Sequence, residues 1–323
     1  MDNSINKSIV LAIKQCVPEG TIIVHILMDL LSLGKESVYR RLRGEIGFTL
    51  EEIIKIANRF GISIDDIIES GRVTNKWVVL NLDKLFSYEN YIKQYCERLN
   101  EYLAIFKDMQ LAKRSHLSSA GHIIPATFLF PYKKLSQFRH YKWHYFMKGA
   151  KPNFVFSNMV LPDEIIKAEE NLLQEWRKVP MATIIVDEDI FSSMIKDIQF
   201  FASQQLVTQN ELLQLKKELL DLLSSVEMLT ETGCYETGSS VMIYLCKIKI
   251  DNCYYHMEYD DEELCFQRTF YMDLVSFNNT KFCKKQREWI DLLKRFSLLL
   301  TQSGDRQRLD FFEKQRQLIK SFA

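Results

Sequence analysis

The sequence predicts a mainly α-helical chain: an all-α N-terminal unit of five short helices, followed by a larger helical region with a small antiparallel sheet, α+β in type. Three observations lead there. Apolar residues recur at helical spacing through the first 71 positions, with helix start and stop signals between them. A 3-4 apolar seam runs from Leu85 to Met109, and three β-rich runs appear between Ser240 and Met272. A chain of 323 residues exceeds the usual single core, and 47 % hydrophobic residues with only 6 Pro and 11 Gly exclude a disordered or fibrous protein. The expected division is 1–71, a connecting helix within 72–115, and an α+β region over 116–323 serving regulation or assembly.

In the first unit, Ile5, Ile9, Ala12 and Ile13 mark a helix over residues 4–16, which Pro18 and Gly20 break. A second helix starts near Thr21 and carries Ile23, Ile26, Leu27, Leu30 and Leu31. After the turn Ser32-Leu33-Gly34 a third helix runs from Lys35 to Arg43, and Gly44 closes it. The fourth has the clearest start: Thr49 and Glu52 make a T-x-x-E capping box, with Phe48 and Ile53 placed for a hydrophobic staple. Gly61 ends it, and Ser63 with Asp66 caps a short fifth helix that stops near Ser70 and Gly71.

Farther along, Leu85, Tyr88, Ile92, Tyr95, Leu99, Tyr102, Phe106 and Met109 form a heptad seam, which suits either a coiled-coil dimer or packing inside one domain. Residues 116–150 are rich in aromatics and predict a helix from Tyr132 to Met147. Further helices are expected near 162–177, 188–203 and 208–230, with a short strand from Thr183 to Val186. Val241–Ile250, Cys253–Tyr259 and Leu264–Met272 read as strands, the first two joined as a hairpin by Asp251-Asn252. Helices over Lys281–Thr301 and Arg306–Ser321, separated by Gly304, finish the chain.

Composition narrows the chemistry. Net charge is zero, so attraction to nucleic acid or lipid must come from a local patch. The seven cysteines (Cys16, Cys96, Cys234, Cys246, Cys253, Cys265, Cys283) are scattered without a C-x-x-C pair, as reduced thiols are. Met1-Asp2-Asn3-Ser4 starts no signal peptide and no apolar run approaches the ~18 residues of a membrane span, so the expectation is a cytoplasmic protein without membrane contact. Phosphate-loop, dinucleotide and serine-hydrolase motifs are absent. His140 and His144 stand at i and i+4 without an intervening glutamate or a third ligand, and Cys246, Cys253 and His256 match no zinc spacing. No enzyme, metal or cofactor is expected, and no pattern names a small-molecule effector.

The one local patch with a recognisable chemistry is residues 34–44, where Lys35, Arg40, Arg41 and Arg43 face only Glu36. A helix with a free polar face, cations for phosphate and forked donors for base edges is what reading DNA requires. The first 71 residues nonetheless hold eight Lys and Arg against ten Asp and Glu, which favours a short, localised footprint. The segment MDLLSLGKESVYRRLRG, Met28 to Gly44, resembles the helix-turn-helix of the lambda-repressor-like (XRE-type) family of bacterial regulators, over about residues 5–70. Leu31, Leu33 and Val38 hold the apolar positions that lock its two helices. The resemblance implies that Lys35, Glu36 and Ser37 open a recognition helix and that Tyr39 and Arg40 reach bases one turn on; the local charge adds Arg41 and Arg43 as further DNA-binding cations. Ser32 stands where a glycine is common, and Gly34 takes a cap position usually held by Ser or Thr. The implied partner is double-stranded DNA and the implied assembly a homodimer, the whole being a sequence-specific transcriptional regulator. The competing reading is a protein-interaction adaptor that uses the same unit for docking.

Overall fold

The structure, a computed structural model, describes residues 4–16, 23–60, 90–149, 153–269, 272–277, 279–302 and 305–322. Contacts divide the chain into two units, Met1–Val79 and Leu80–Ala323. The described part of the first holds four helices: α1 (Ser4–Cys16), α2 (Ile23–Leu31), α3 (Lys35–Leu42) and α4 (Leu50–Phe60). They close on a small core of Ile9, Ile13, Val24, Leu27, Leu31, Val38 and Ile56. In place of the expected all-α five-helix unit, the described residues show these four helices. The fifth helix, expected between Ser63 and Ser70, lies outside the described residues.

The larger correction concerns the sheet. In place of a small antiparallel sheet, the second unit is built on a seven-stranded mixed sheet in the order β6-β5-β4-β1-β2-β3-β7. Its strands are β1 (Ser115–Gly121), β2 (Met181–Asp187), β3 (Ser240–Cys246), β4 (Tyr254–Tyr259), β5 (Glu262–Arg268), β6 (Leu274–Phe277) and β7 (Ser297–Leu299). β1, β2 and β3 run parallel, with Ser119 opposite Ile184 and Ile184 opposite Ile243. β4, β5 and β6 continue beyond β1 as an antiparallel meander, and β7 pairs antiparallel on the far side of β3.

Parallel neighbours need long crossovers, and helices supply them. Between β1 and β2 lie α5's successors in the chain: with α5 as Tyr91–Leu111, they are α6 (Ala126–Leu129), α7 (Lys133–Met147), a 3-10 turn at Phe156–Asn158 and α8 (Asp163–Trp176). Between β2 and β3 lie α9 (Ser192–Ser203) and α10 (Gln209–Thr232), the latter opened by a Thr208/Glu211 capping box and closed by Gly233 at φ +69°. α11 (Thr280–Arg295) and α12 (Asp305–Ser321) complete the unit. Strand alternation sorts the two faces. Leu117, Ile184, Val186, Val241 and Ile243 point into the main core, while Ala120, Ile185 and Cys246 meet Ile290 and Leu293 of α11 on the other side.

The expected hairpin at Asp251-Asn252 does not form, because β3 and β4 are separated by β1 and β2 in the sheet. That segment instead carries the chain across the strand ends, where Ile250 N donates to Asp187 Oδ2 at 3.2 Å. The hairpin is one step later, between β4 and β5, with Asp260 at φ +46°. The heptad seam is filled within the subunit: Tyr95, Leu99, Phe106 and Met109 of α5 are buried in the main core, with α8 packed alongside. Ile92 is exposed, and Leu85 and Tyr88 fall outside the described residues. α5 thus belongs to the second unit rather than standing as a connector.

A polar cluster is sealed under this helix layer. The Glu169 carboxylate, on α8, accepts from Tyr95 OH at 2.7 Å, Ser136 Oγ at 2.6 Å, Arg139 Nη2 at 2.9 Å and His140 Nε2 at 2.9 Å. Since Glu169 takes the proton on Nε2, the His140 Nδ1 lone pair accepts from Tyr91 OH, which fixes a neutral tautomer. Burial pushes the Glu169 carboxyl up, but the His140 hydrogen bond and the Arg139 charge outweigh it and hold the group at about 2. Burial also lowers His140 against the pull of Glu169, and lowers His144 to about 4.

Removing this carboxylate leaves Arg139 buried without its counter-charge. Glu169→Ala is expected to cost about 3–5 kcal/mol in urea denaturation followed by tryptophan fluorescence. The sign of the pH dependence follows from the same groups. Between the ordinary histidine value of 6.5 and the lowered folded values, the unfolded chain binds more protons, so stability is complete above pH 6.5 and declines as pH falls toward 4. Protonation of Glu169 removes more between 4.5 and about 2. Thermal midpoints should hold level above pH 6.5 and fall from there to pH 4.

Candidate nucleic-acid interface

The orientation of α3 is set by one apolar anchor. Val38 is fully buried in the small core, where α3 packs on α2, so the residues on the far side of the helix, Lys35, Glu36, Tyr39, Arg40 and Arg43, are turned to solvent. Their spacing of 1, 3, 1 and 3 keeps them on one helical face. The turn before α3 is a tight stop for α2. Ser32 sits at φ +54°, and Leu33 N donates to Met28 O at 3.2 Å, the 6→1 bond of a Schellman motif. A left-handed serine costs roughly 1–2 kcal/mol, which explains why glycine is the commoner residue at this place. Gly34 caps α3 with extended backbone and no side-chain bond, while Gly44 at φ +78° ends it with Glu45 N on Arg40 O at 2.9 Å.

Ser37 and Arg41 lie on the flank of the helix, half-buried. Arg41 is not part of the exposed face. Its Nε and Nη2 donate to Glu52 Oε2 and Oε1 at 3.0 and 2.9 Å, a two-pronged pair with both side chains under 15 % exposed, and its Nη1 reaches Ser37 O at 3.3 Å. Glu52 is the capping glutamate of α4: its Oε2 also accepts from Thr49 N at 2.9 Å, while its own N–H donates to Thr49 Oγ1 at 3.3 Å. Burial raises the Glu52 carboxyl, yet the bonds from Arg41 and Thr49 bring it below its ordinary value. Asn6 of α1 ties in from the other side, donating to Arg41 O at 2.9 Å and accepting from Phe48 N at 3.1 Å.

The exposed cations are held differently. Arg43 pairs with Glu36 at 3.1 Å and Glu45 at 2.9 Å, and Arg40 with Glu45 at 3.4 Å, all about half exposed or more. Such surface pairs contribute only ~0–1 kcal/mol, so a phosphate or a guanine edge can displace the carboxylates. Lys35 makes no ion pair among the described residues. The sequence reading missed Asn6 and Glu45. Asn6 carried a signal, since it shares the buried stripe of Ile9 and Ile13 and a polar group there requires hydrogen-bond partners. The structure thus brings together Lys35, Glu36, Tyr39, Arg40 and Arg43, sets Ser37 at their margin, and removes Arg41 to a structural pair.

Among the described residues no three His, Cys, Asp or Glu side chains converge as a metal site, and no helix is long and apolar enough to cross a membrane. Residues 22–90 match the family model of the BetR domain, a helix-turn-helix-type DNA-binding domain family. The match takes in α2, the turn, α3 and α4, and it does not reach the finer, lambda-repressor-like type that the sequence resembles. No curated protein and no solved structure matches the chain.

Two neighbouring arginines should therefore behave in opposite ways. Arg41→Ala removes charged hydrogen bonds worth about 1.5–3 kcal/mol each and should speed amide hydrogen exchange across residues 35–60 of the full chain by tenfold or more. Arg40→Ala should leave that exchange unchanged.

Proposed function

We propose that the chain is a sequence-specific DNA-binding transcriptional regulator, acting in the cytoplasm as a homodimer. α3 would enter the major groove of double-stranded DNA in the lambda-repressor-like manner. The observation that carries this reading is the face of α3: Lys35, Glu36, Tyr39, Arg40 and Arg43 exposed together, on the helix after the turn, within a stretch matching a helix-turn-helix family. The major groove is about 12 Å wide and accepts one helix. In this reading Arg40 would make a two-pronged bond to guanine O6 and N7, Glu36 would accept from a cytosine amino group, and Lys35 and Arg43 would meet phosphate. Glu36 and Glu45 beside these cations repel DNA that does not displace them, which keeps non-specific binding weak.

A helix of eight residues reads few base pairs, and a symmetric pair reads two half-sites about 34 Å apart, hence the homodimer. Because the seam of α5 is filled within the subunit, the second copy pairs through another surface. The second unit serves regulation in this reading, and no catalytic step belongs to it.

Fluorescence anisotropy with duplexes selected from a random pool tests the assignment. Arg40→Ala should cost roughly 1–3 kcal/mol and relax sequence preference, while Lys35→Ala should weaken all sequences alike and lower the salt slope by about 1. Unchanged affinity in both variants, or no binding at low salt, would overturn the reading in favour of an adaptor.

A further inference from the structure

In open sheets with parallel strands, ligands settle in the crevice beyond the carboxyl ends, where neighbouring connections diverge. β1 is such a place: one neighbour, β2, is parallel and follows it through a crossover, while the other, β4, is antiparallel and arrives from β3. A cavity of about 400 Å³ opens there. Its wall includes His122 directly after β1, Met194 in the first turn of α9, Arg139 and Lys142 of α7, and Arg268 at the end of β5. That volume is within the ~300–1,000 Å³ of small-molecule sites.

A second chamber of about 130 Å³ adjoins it and shares Arg139, Tyr255 and Met272 in its lining. This inner chamber is apolar and aromatic, walled by Tyr102, Phe106, Trp176 and Phe266 beneath the sheet. The outer one gathers Arg139, Lys142 and Arg268, of which Lys142 is paired with Asp197 and Arg139 with Glu169. Arg139 stands between the two, its side chain 11 % exposed and its guanidinium over the rings of Tyr95 and Phe130. His122 Nδ1 is buried with no hydrogen-bond partner, and a buried polar atom of this kind costs stability unless a bound group or water satisfies it. A larger groove of about 710 Å³ lies beside α10, but among the described residues its lining holds no buried polar side-chain atom without a hydrogen-bond partner.

We propose that these two chambers form one binding site for a small organic anion with an apolar body, its carboxylate or phosphate headed by Arg139, Arg268 and His122 and its apolar part seated among Phe106, Trp176 and Phe266. The site stands whether or not α3 reads DNA. A cationic mouth over an apolar interior selects this class, because a neutral apolar molecule leaves the mouth unsatisfied and a bare inorganic anion leaves the interior empty.

Isothermal titration calorimetry of the full chain with decanoate, decyl phosphate and decanol tests it, with inorganic phosphate as the headgroup alone. One decanoate or one decyl phosphate per chain is expected, at least tenfold tighter than decanol and tighter than inorganic phosphate; the tighter of the two anions identifies the headgroup. Arg268→Gln should weaken the anion roughly tenfold, as loss of a charged hydrogen bond does, and Met194→Trp should abolish binding by filling the outer chamber. Unchanged circular dichroism and thermal midpoint in each variant establish that the fold is retained. Absence of binding by both anions to the unaltered chain at 1 mM overturns the proposal. So does decanol binding equally tightly, or anion binding that neither folded variant changes.

Discussion

Glu52 is asked for three hydrogen bonds at once, by the backbone of Thr49 and by two nitrogens of Arg41, and it meets all of them. The consequence reaches beyond capping α4. Arg41 is held by its fork to that carboxylate, its carbonyl is held by Asn6, and α3 is thereby fixed about its own axis from two directions. With the helix rotation fixed, Val38 goes inward and Lys35, Tyr39, Arg40 and Arg43 go outward. A largely buried ion pair is not a strong source of net stability, because desolvation offsets most of its attraction, but breaking one side of it is expensive. Its value here is positional. It turns an apolar four-helix core, which alone would tolerate some slippage, into a support that presents one particular face.

The second unit uses the same device around Glu169, where four donors converge on one buried carboxylate. There the residues tied together come from α5, α7 and α8, so the helix layer over the sheet is keyed by polar contacts as well as by aromatic packing. Arg139 belongs both to that cluster and to the cavity wall at the end of β1. A ligand headgroup placed there would touch a residue whose other bonds run to α5, the first described helix after the N-terminal unit in the chain.

Much of this was legible wherever a local rule has a single solution. Thr49 with Glu52 announces a helix start, Gly44 a helix end, and both occur as read. The same T-x-x-E pattern at Thr208 and Glu211 was equally available for α10. Arg41 was not separable from Arg40 and Arg43, since all three lie within one turn and only the helix rotation tells them apart. The 3-4 seam of α5 was ambiguous for a related reason: an intramolecular partner helix and a second copy require the same spacing. β1 escaped notice because Ser-His-Leu-Ser-Ser-Ala-Gly has little strand propensity, although it lies at the centre of the sheet. Small side chains suit that position, where Gly121 lies so close to Cys253 that an added Cβ would be 3.0 Å from its Sγ. Without β1 the sequence offered the short strand Thr183–Val186 and the strands from Ser240 onward, and Asp251-Asn252 then read as a hairpin between strands that are three places apart in the sheet.

In the proposed function, contact between DNA and the exposed face of α3 is the step on which the rest depends. It is tested most directly by hydrogen exchange of the full chain with and without a duplex selected for binding, at low ionic strength. The account predicts new protection concentrated in residues 32–45, from the turn through α3 to Glu45, with α1 and the sheet of the second unit unchanged. Protection that spares α3 and appears in the second unit would contradict it.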